Sequence, residues 1–165
     1  MPVGSVQGGL TSPSDVLRTV GLQRPKTMDC WPGAANACWA HDPGVAGVVA
    51  RTGKSAAVTQ FSSFLYSFGG DFIDENGKSA VSSDAAKKAY AFYGGLIHNY
   101  GPANVSTDMS WPEAMAIFTQ GKAGLYTAAD SLYKNATDPA KSKGENTVGF
   151  APRPAGANGS QGDTG

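Results

Sequence analysis

The chain has 165 residues, thirteen basic and thirteen acidic side chains, and 41% hydrophobic content, which is ordinary for one globular domain. Balanced charge without a dense Lys/Arg cluster argues against nucleic acid or an anionic membrane as partner. The longest apolar runs, such as 45–50, fall far below the roughly 20 residues that cross a bilayer, and the first ten residues carry no charged leader or sustained apolar segment, so no secretory signal is expected within this sequence, and export, if it occurs, would depend on sequence outside it.

Along the chain, the spacing of Met28, Trp31, Ala34, Ala35, Cys38 and Trp39 fits a helix over 27–40, provided that Pro32 and Gly33 fall in its first turn. Cys30 and Cys38 would then stand about 12 Å apart along the axis, too far for a disulfide. The run 45–50 is apolar, β-branched and preceded by Pro-Gly, which suits a buried strand of an α/β sheet. Phe61, Phe64, Leu65 and Phe68 recur at helical spacing, so the next helix is placed from about Phe61 to Gly69-Gly70. In 71–79, Asn76-Gly77 predicts a tight hairpin. Its acidic residues lack the order and closing Glu of a calcium loop, and a solvated hairpin is the expectation.

Ser82-Ser-Asp84 supplies caps for a helix over 85–100, striped by Ala89, Phe92, Tyr93, Leu96, Ile97 and Tyr100. His98 lies late in it, where a cation suits the dipole. Ser110-Trp-Pro-Glu113 is a capping-box pattern with Pro in the first turn. Trp111 is expected to pack in the core. A small-residue strand over 123–128, a short helix over 131–135 and a strand over 147–151 complete an α/β alternation. The Gly-rich end, 155–165, has no apolar periodicity and is expected to be flexible or cut short.

Gly53-Lys-Ser55 invites a phosphate-loop reading. Such a loop needs Gly, four residues, then Gly-Lys-Ser; here Gly47 stands five residues before Gly53, and the helix expected near Phe61 begins too late. No Gly-x-Ser-x-Gly elbow accompanies His41 or His98. No metal-ligand pattern and no cofactor motif is present, so neither is expected. Trp, Tyr and Phe interleaved with Asn, Gln, Asp and Ser in loops suit sugars and polyols, whose C–H faces stack on rings while hydroxyls bond planar polar groups.

In order, Phe64-Leu-Tyr-Ser-Phe-Gly-Gly-Asp-Phe-Ile-Asp-Glu-Asn-Gly-Lys78, Ser82-Ser-Asp-Ala-Ala-Lys-Lys-Ala89, Tyr100-Gly-Pro102, Ser110-Trp-Pro-Glu113, Phe118-Thr-Gln-Gly-Lys-Ala-Gly-Leu125 and Val148-Gly-Phe-Ala-Pro-Arg-Pro154 resemble family 1 of the extracellular solute-binding proteins of ABC sugar importers. Leu22-Gln-Arg-Pro-Lys-Thr-Met-Asp29 extends the resemblance, which leans toward the sugar-alcohol and monosaccharide binders. It departs from the family at Thr11-Ser12, where an aromatic pair is common, and at Cys30-Trp-Pro-Gly33, which interrupts a region usually helical.

The resemblance implies an incomplete type II periplasmic-binding-protein-like α/β lobe: 1–20 a crossover or hinge-like segment, 21–154 a partial second lobe, 155–165 the tail. It implies a monomeric, non-enzymatic protein outside the cytoplasmic membrane that captures a sugar or sugar alcohol and delivers it to an ABC permease. It places 51–60 in a cleft-facing loop, with Arg51 and Gln60 as contacts or else solvated side chains, and it points to Asp130 and Ser131 beyond the 123–128 strand. The alternatives are a sugar-processing enzyme domain on a similar core and an inactive truncated product.

Overall fold

The computed structural model describes residues 8–13, 21, 23, 25–42, 44–103, 108–142, 148–152 and 156, with the backbone alone for 8–13, 130 and 150–152. Four strands form one sheet in the order β2-β3-β1-β4: β1 Gly8–Pro13, β2 Ala46–Val49, β3 Ala123–Ala129 and β4 Val148–Pro152. β2 and β3 are parallel, whereas β1 lies antiparallel between β3 and β4. The segment expected as a crossover thus contributes an interior strand.

Every residue of β2 is buried, because helices cover both faces of the sheet. On one face, α1 (Trp31–His41), α2 (Lys54–Ser67) and α3 (Asp84–Tyr100) enclose Trp31, Cys38, Val48, Phe64, Leu96 and Leu125. Trp31 stacks on Phe64 with centroids 5.3 Å apart. On the other, α4 (Trp111–Thr119) and the short α5 (Tyr133–Ala136) pack Met115, Phe118 and Ala136 against Val49, Tyr126 and Ala128. A 3-10 turn, Met28–Cys30, leads into α1, and Pro32 sits in the first turn of that helix. Cys30-Trp-Pro-Gly33 therefore begins the helix, with no break to explain. Cys30 is exposed and Cys38 buried, both as free thiols; burial pushes the Cys38 thiol up to about 11.

Two glycines set how closely α1 approaches the sheet. A Cβ on Gly47 would run into the Ala35 carbonyl, and one on Gly124 into the Cys38 side chain. Gly47, one residue out of register for a phosphate loop, serves helix–sheet contact in β2. At the other end of α2, Gly69 takes φ +74°. There its N–H donates to Tyr66 O, and Gly70 N–H donates to Leu65 O, both at 2.9 Å, which closes a Schellman motif.

Within 71–79 the hairpin forms as expected: Ile73 bridges Ser79, Gly77 has φ +75°, and the Asp74 carboxylate accepts from Asn76 N and Lys78 N. Asp74 is thereby committed to the turn. No metal-ligand cluster occurs among the described residues. Of the 155–165 tail, only Gly156 is described; it is buried so closely on the end of α2 that a Cβ there would collide with the Ser67 carbonyl.

Replacing Gly47 by Ala forces α1 away from β2 and should lower unfolding free energy by about 1–3 kcal/mol in urea titrations. Gly94, inside α3 with nothing within 4 Å of where an alanine methyl would sit, is the control. There Ala should raise stability by about 0.5–1 kcal/mol. Equal shifts for both would remove close approach as the reason for Gly47.

Candidate ligand-binding edge

Parallel β2 and β3 end at the same edge of the sheet, β1 starts there with Gly8 opposite Ala129, and β4 finishes there with Pro152 opposite Gly9. In open α/β sheets the carboxyl ends of the strands are where ligands are held. Three segments border this edge: 50–53 between β2 and α2, 108–110 ahead of α4, and the 3-10 turn Asp130–Leu132 after β3.

The first segment is shorter than expected. Gly53 is the N-cap of α2, which opens at Lys54 and not near Phe61, so the expected 51–60 loop is mostly helix. Lys54, Ser55, Val58 and Thr59 are exposed; with no buried stripe in these first turns, apolar periodicity had nothing to detect. A strand, a short loop, Gly-Lys-Ser and a helix therefore do follow in phosphate-loop order. Hydrogen bonding turns two of the loop's amides away from a cradle: Thr52 N–H and Gly53 N–H both donate to Met109 O, at 2.9 and 2.8 Å. Met109 N–H in turn donates to Thr52 Oγ1 at 3.3 Å. Amides turned to a neighbouring carbonyl do not receive phosphate.

Arg51 is half-buried within that short segment, and its backbone carbonyl accepts from the Tyr93 hydroxyl of α3. Its side-chain Nε is buried with no hydrogen-bond partner among the described residues. Gln60 is 4% exposed, and its Nε2 donates to Thr127 Oγ1 at 2.8 Å. The solvated alternative for Gln60 is therefore incorrect: the amide pins α2 to β3 beneath the edge. Asp130 opens the 3-10 turn directly after β3, and Ser131, the next residue, is exposed. Arg51, Asp130 and Ser131 thus share the edge, and Gln60 lies below it.

Trp111 also differs from expectation. It is 43% exposed at the first position of α4, while Ala114, Met115 and Phe118 supply the buried face of that helix. A capping box fixes where a helix starts, and here the start protrudes past the core. The Glu113 carboxylate accepts from Ser110 N at 3.0 Å and Ser110 Oγ at 2.5 Å. The Ser110 hydroxyl, foremost, holds the fully exposed Glu113 carboxyl below its usual range. On the α2–α3 side of the 50–53 segment lies an open groove of about 600 Å³, bordered by Thr52, Ala57, Tyr93, Ile97, His98 and Pro102.

A family model for bacterial extracellular solute-binding proteins matches residues 1–164. The chain belongs to that family. Among solved structures, this solute-binding chain is similar to one from Agrobacterium vitis S4 with bound D-mannitol (26% identity, TM-score 0.85, 97% of this chain and 40% of that one). It is similar also to maltose-bound MalE3 of T. maritima (28% identity, TM-score 0.81, 96% and 41%). A solute-binding protein of Agrobacterium radiobacter K84 in complex with ribitol shares the fold at TM-score 0.87 and 24% identity, over 98% and 40%. No curated protein sequence matches. The fold is an incomplete type II periplasmic-binding-protein-like α/β lobe, and the chain spans about two-fifths of the length of these solved relatives.

Two outcomes follow from the geometry. Magnesium-ATP titrated into the protein should give no saturable heat, since the Thr52 and Gly53 amides are engaged by Met109 O; stoichiometric binding abolished by Lys54→Ala would contradict this. Glu113 has a depressed folded-state pKa, so its contribution is complete above the unfolded value of about 4.3 and fades as pH falls through the lower folded value. The Ser110 amide resonance should therefore titrate with a midpoint below about 4.3, and in Glu113→Gln that transition should vanish.

Proposed function

We propose that this solute-binding protein captures a sugar or sugar alcohol as the substrate-binding component of an ABC importer. In this reading, residues 1–20 are the hinge-like crossover and 21–154 one wall of the cleft, with the opposite wall in the part of its relatives' length that this chain does not span. The observation that carries the reading is the placement of Arg51 at the strand-end edge of a family member. Its planar guanidinium suits adjacent hydroxyls of a polyol, and D-mannitol and maltose are what the similar solved proteins hold.

Arg51, Asp130 and Ser131 touch ligand in this proposal, and Gln60 supports them from beneath by tying α2 to Thr127. Capture consists of closing a second wall over the ligand, which buries its hydroxyls against directed polar groups. The ligand leaves chemically unchanged, and the protein acts as a monomer outside the cytoplasmic membrane, handing it to the permease subunits.

Calorimetry with the protein as its gene encodes it, against D-mannitol, ribitol and maltose, tests the reading. Saturable binding of at least one is expected, with the ligand recovered intact by chromatography. Arg51→Ala should weaken that binding by about 1–3 kcal/mol. Conversion of the ligand, or no binding across the panel, overturns the proposal.

A further inference from the structure

Among the described residues, three buried side-chain polar atoms have no hydrogen-bond partner: Trp31 Nε1, Arg51 Nε and the Tyr126 hydroxyl. Trp31 belongs to the core on the opposite face of the sheet. The other two belong together. Val49 is paired with Tyr126 across β2 and β3, and both side chains pack on the α4 face. Arg51 lies two residues beyond Val49, the last residue of β2, at the carboxyl end of that strand. Its charge reaches the phenol: burial raises the Tyr126 pKa to about 12, and Arg51 acts against that rise. At neutral pH the phenol is uncharged and its oxygen is free to accept.

Burying a donor and an acceptor unpaired is costly, and a hydrogen bond between the two would remove both deficits at once. Tyr126 is itself fixed, 1% exposed and stacked on Phe118 with centroids 5.5 Å apart. It therefore offers a fixed acceptor.

We propose that Tyr126 is a positioning residue for Arg51: its buried phenol oxygen accepts from Arg51 Nε–H, and the terminal guanidinium nitrogens are thereby presented to the ligand. The inference rests on Arg51 as a ligand contact and adds the residue that aims it. Nε is the inner nitrogen of the fork, so engaging it leaves the outer donors for vicinal hydroxyls and sets their plane. The bond also shifts the entropic cost of ordering a long side chain from the moment of binding to the free protein.

The test compares wild type, Tyr126→Phe, Arg51→Ala and the double variant, each titrated with D-mannitol, ribitol and maltose and each melted without ligand. Tyr126→Phe keeps the ring and its stacking but leaves Arg51 Nε buried without an acceptor; it should lower the ligand-free melting temperature slightly and weaken affinity about three- to tenfold. In the Arg51→Ala background the same change should cost nothing further, because the side chain to be aimed is gone. Unchanged affinity in Tyr126→Phe or additive losses in the double variant each overturn the inference and leave the sugar-binding reading standing. If wild type takes up none of the three ligands, that reading falls and this one with it.

Discussion

One carbonyl organises the candidate binding edge. Met109 O accepts from two successive amides, Thr52 and Gly53, and so ties the end of β2 and the start of α2 to the segment that launches α4. Met109 is 4% exposed, so the bonds form away from competing water and are strengthened by that seclusion. The same contact does three jobs: it withholds the amides that would cradle a phosphate, it fixes the backbone that carries Arg51, and it sets the entry of Ser110 and Trp111 at the rim. The Tyr93 hydroxyl, donating to the Arg51 carbonyl, anchors this short segment from the α3 side.

Beneath that edge, close packing supplies rigidity. Gly47 and Gly124 let α1 settle on β2 and β3 without intervening side chains, and Gln60 crosses from α2 to Thr127 where two buried polar groups satisfy each other. A binding surface built on such a scaffold keeps its geometry when ligand is absent, which limits what must be ordered on capture. The lobe belongs to a family of solute-binding proteins, and its edge carries exposed aromatic surface at Trp111.

The sequence disclosed what is locally encoded. Ser83 capping α3, the Ser110–Glu113 cap, the Asn76-Gly77 turn and the Gly69-Gly70 stop all depend on residues within five positions of one another, and all stand where the pattern put them. The first turns of α2 escaped notice because their side chains face solvent and carry no periodic signal. Trp111 was misplaced because a cap specifies the beginning of a helix without specifying what that beginning faces. Gln60 with Thr127 is set by a pairing some seventy residues apart in the chain, which no window on the sequence contains. The family resemblance succeeded where local patterns stop, since the order of weak motifs encodes the arrangement of the whole lobe.

β1 has a further consequence for assembly of the lobe. It is hydrogen-bonded on both sides, to β3 and to β4, and its partners lie more than a hundred residues later in the chain. A polypeptide emerging amino end first must hold this strand unpaired until nearly all of the lobe has appeared, while β2, β3 and their helices have partners sooner. Closing so long a loop is entropically expensive before any pairing repays it. The centre of the finished sheet is thus the place where synthesis order and spatial order disagree most.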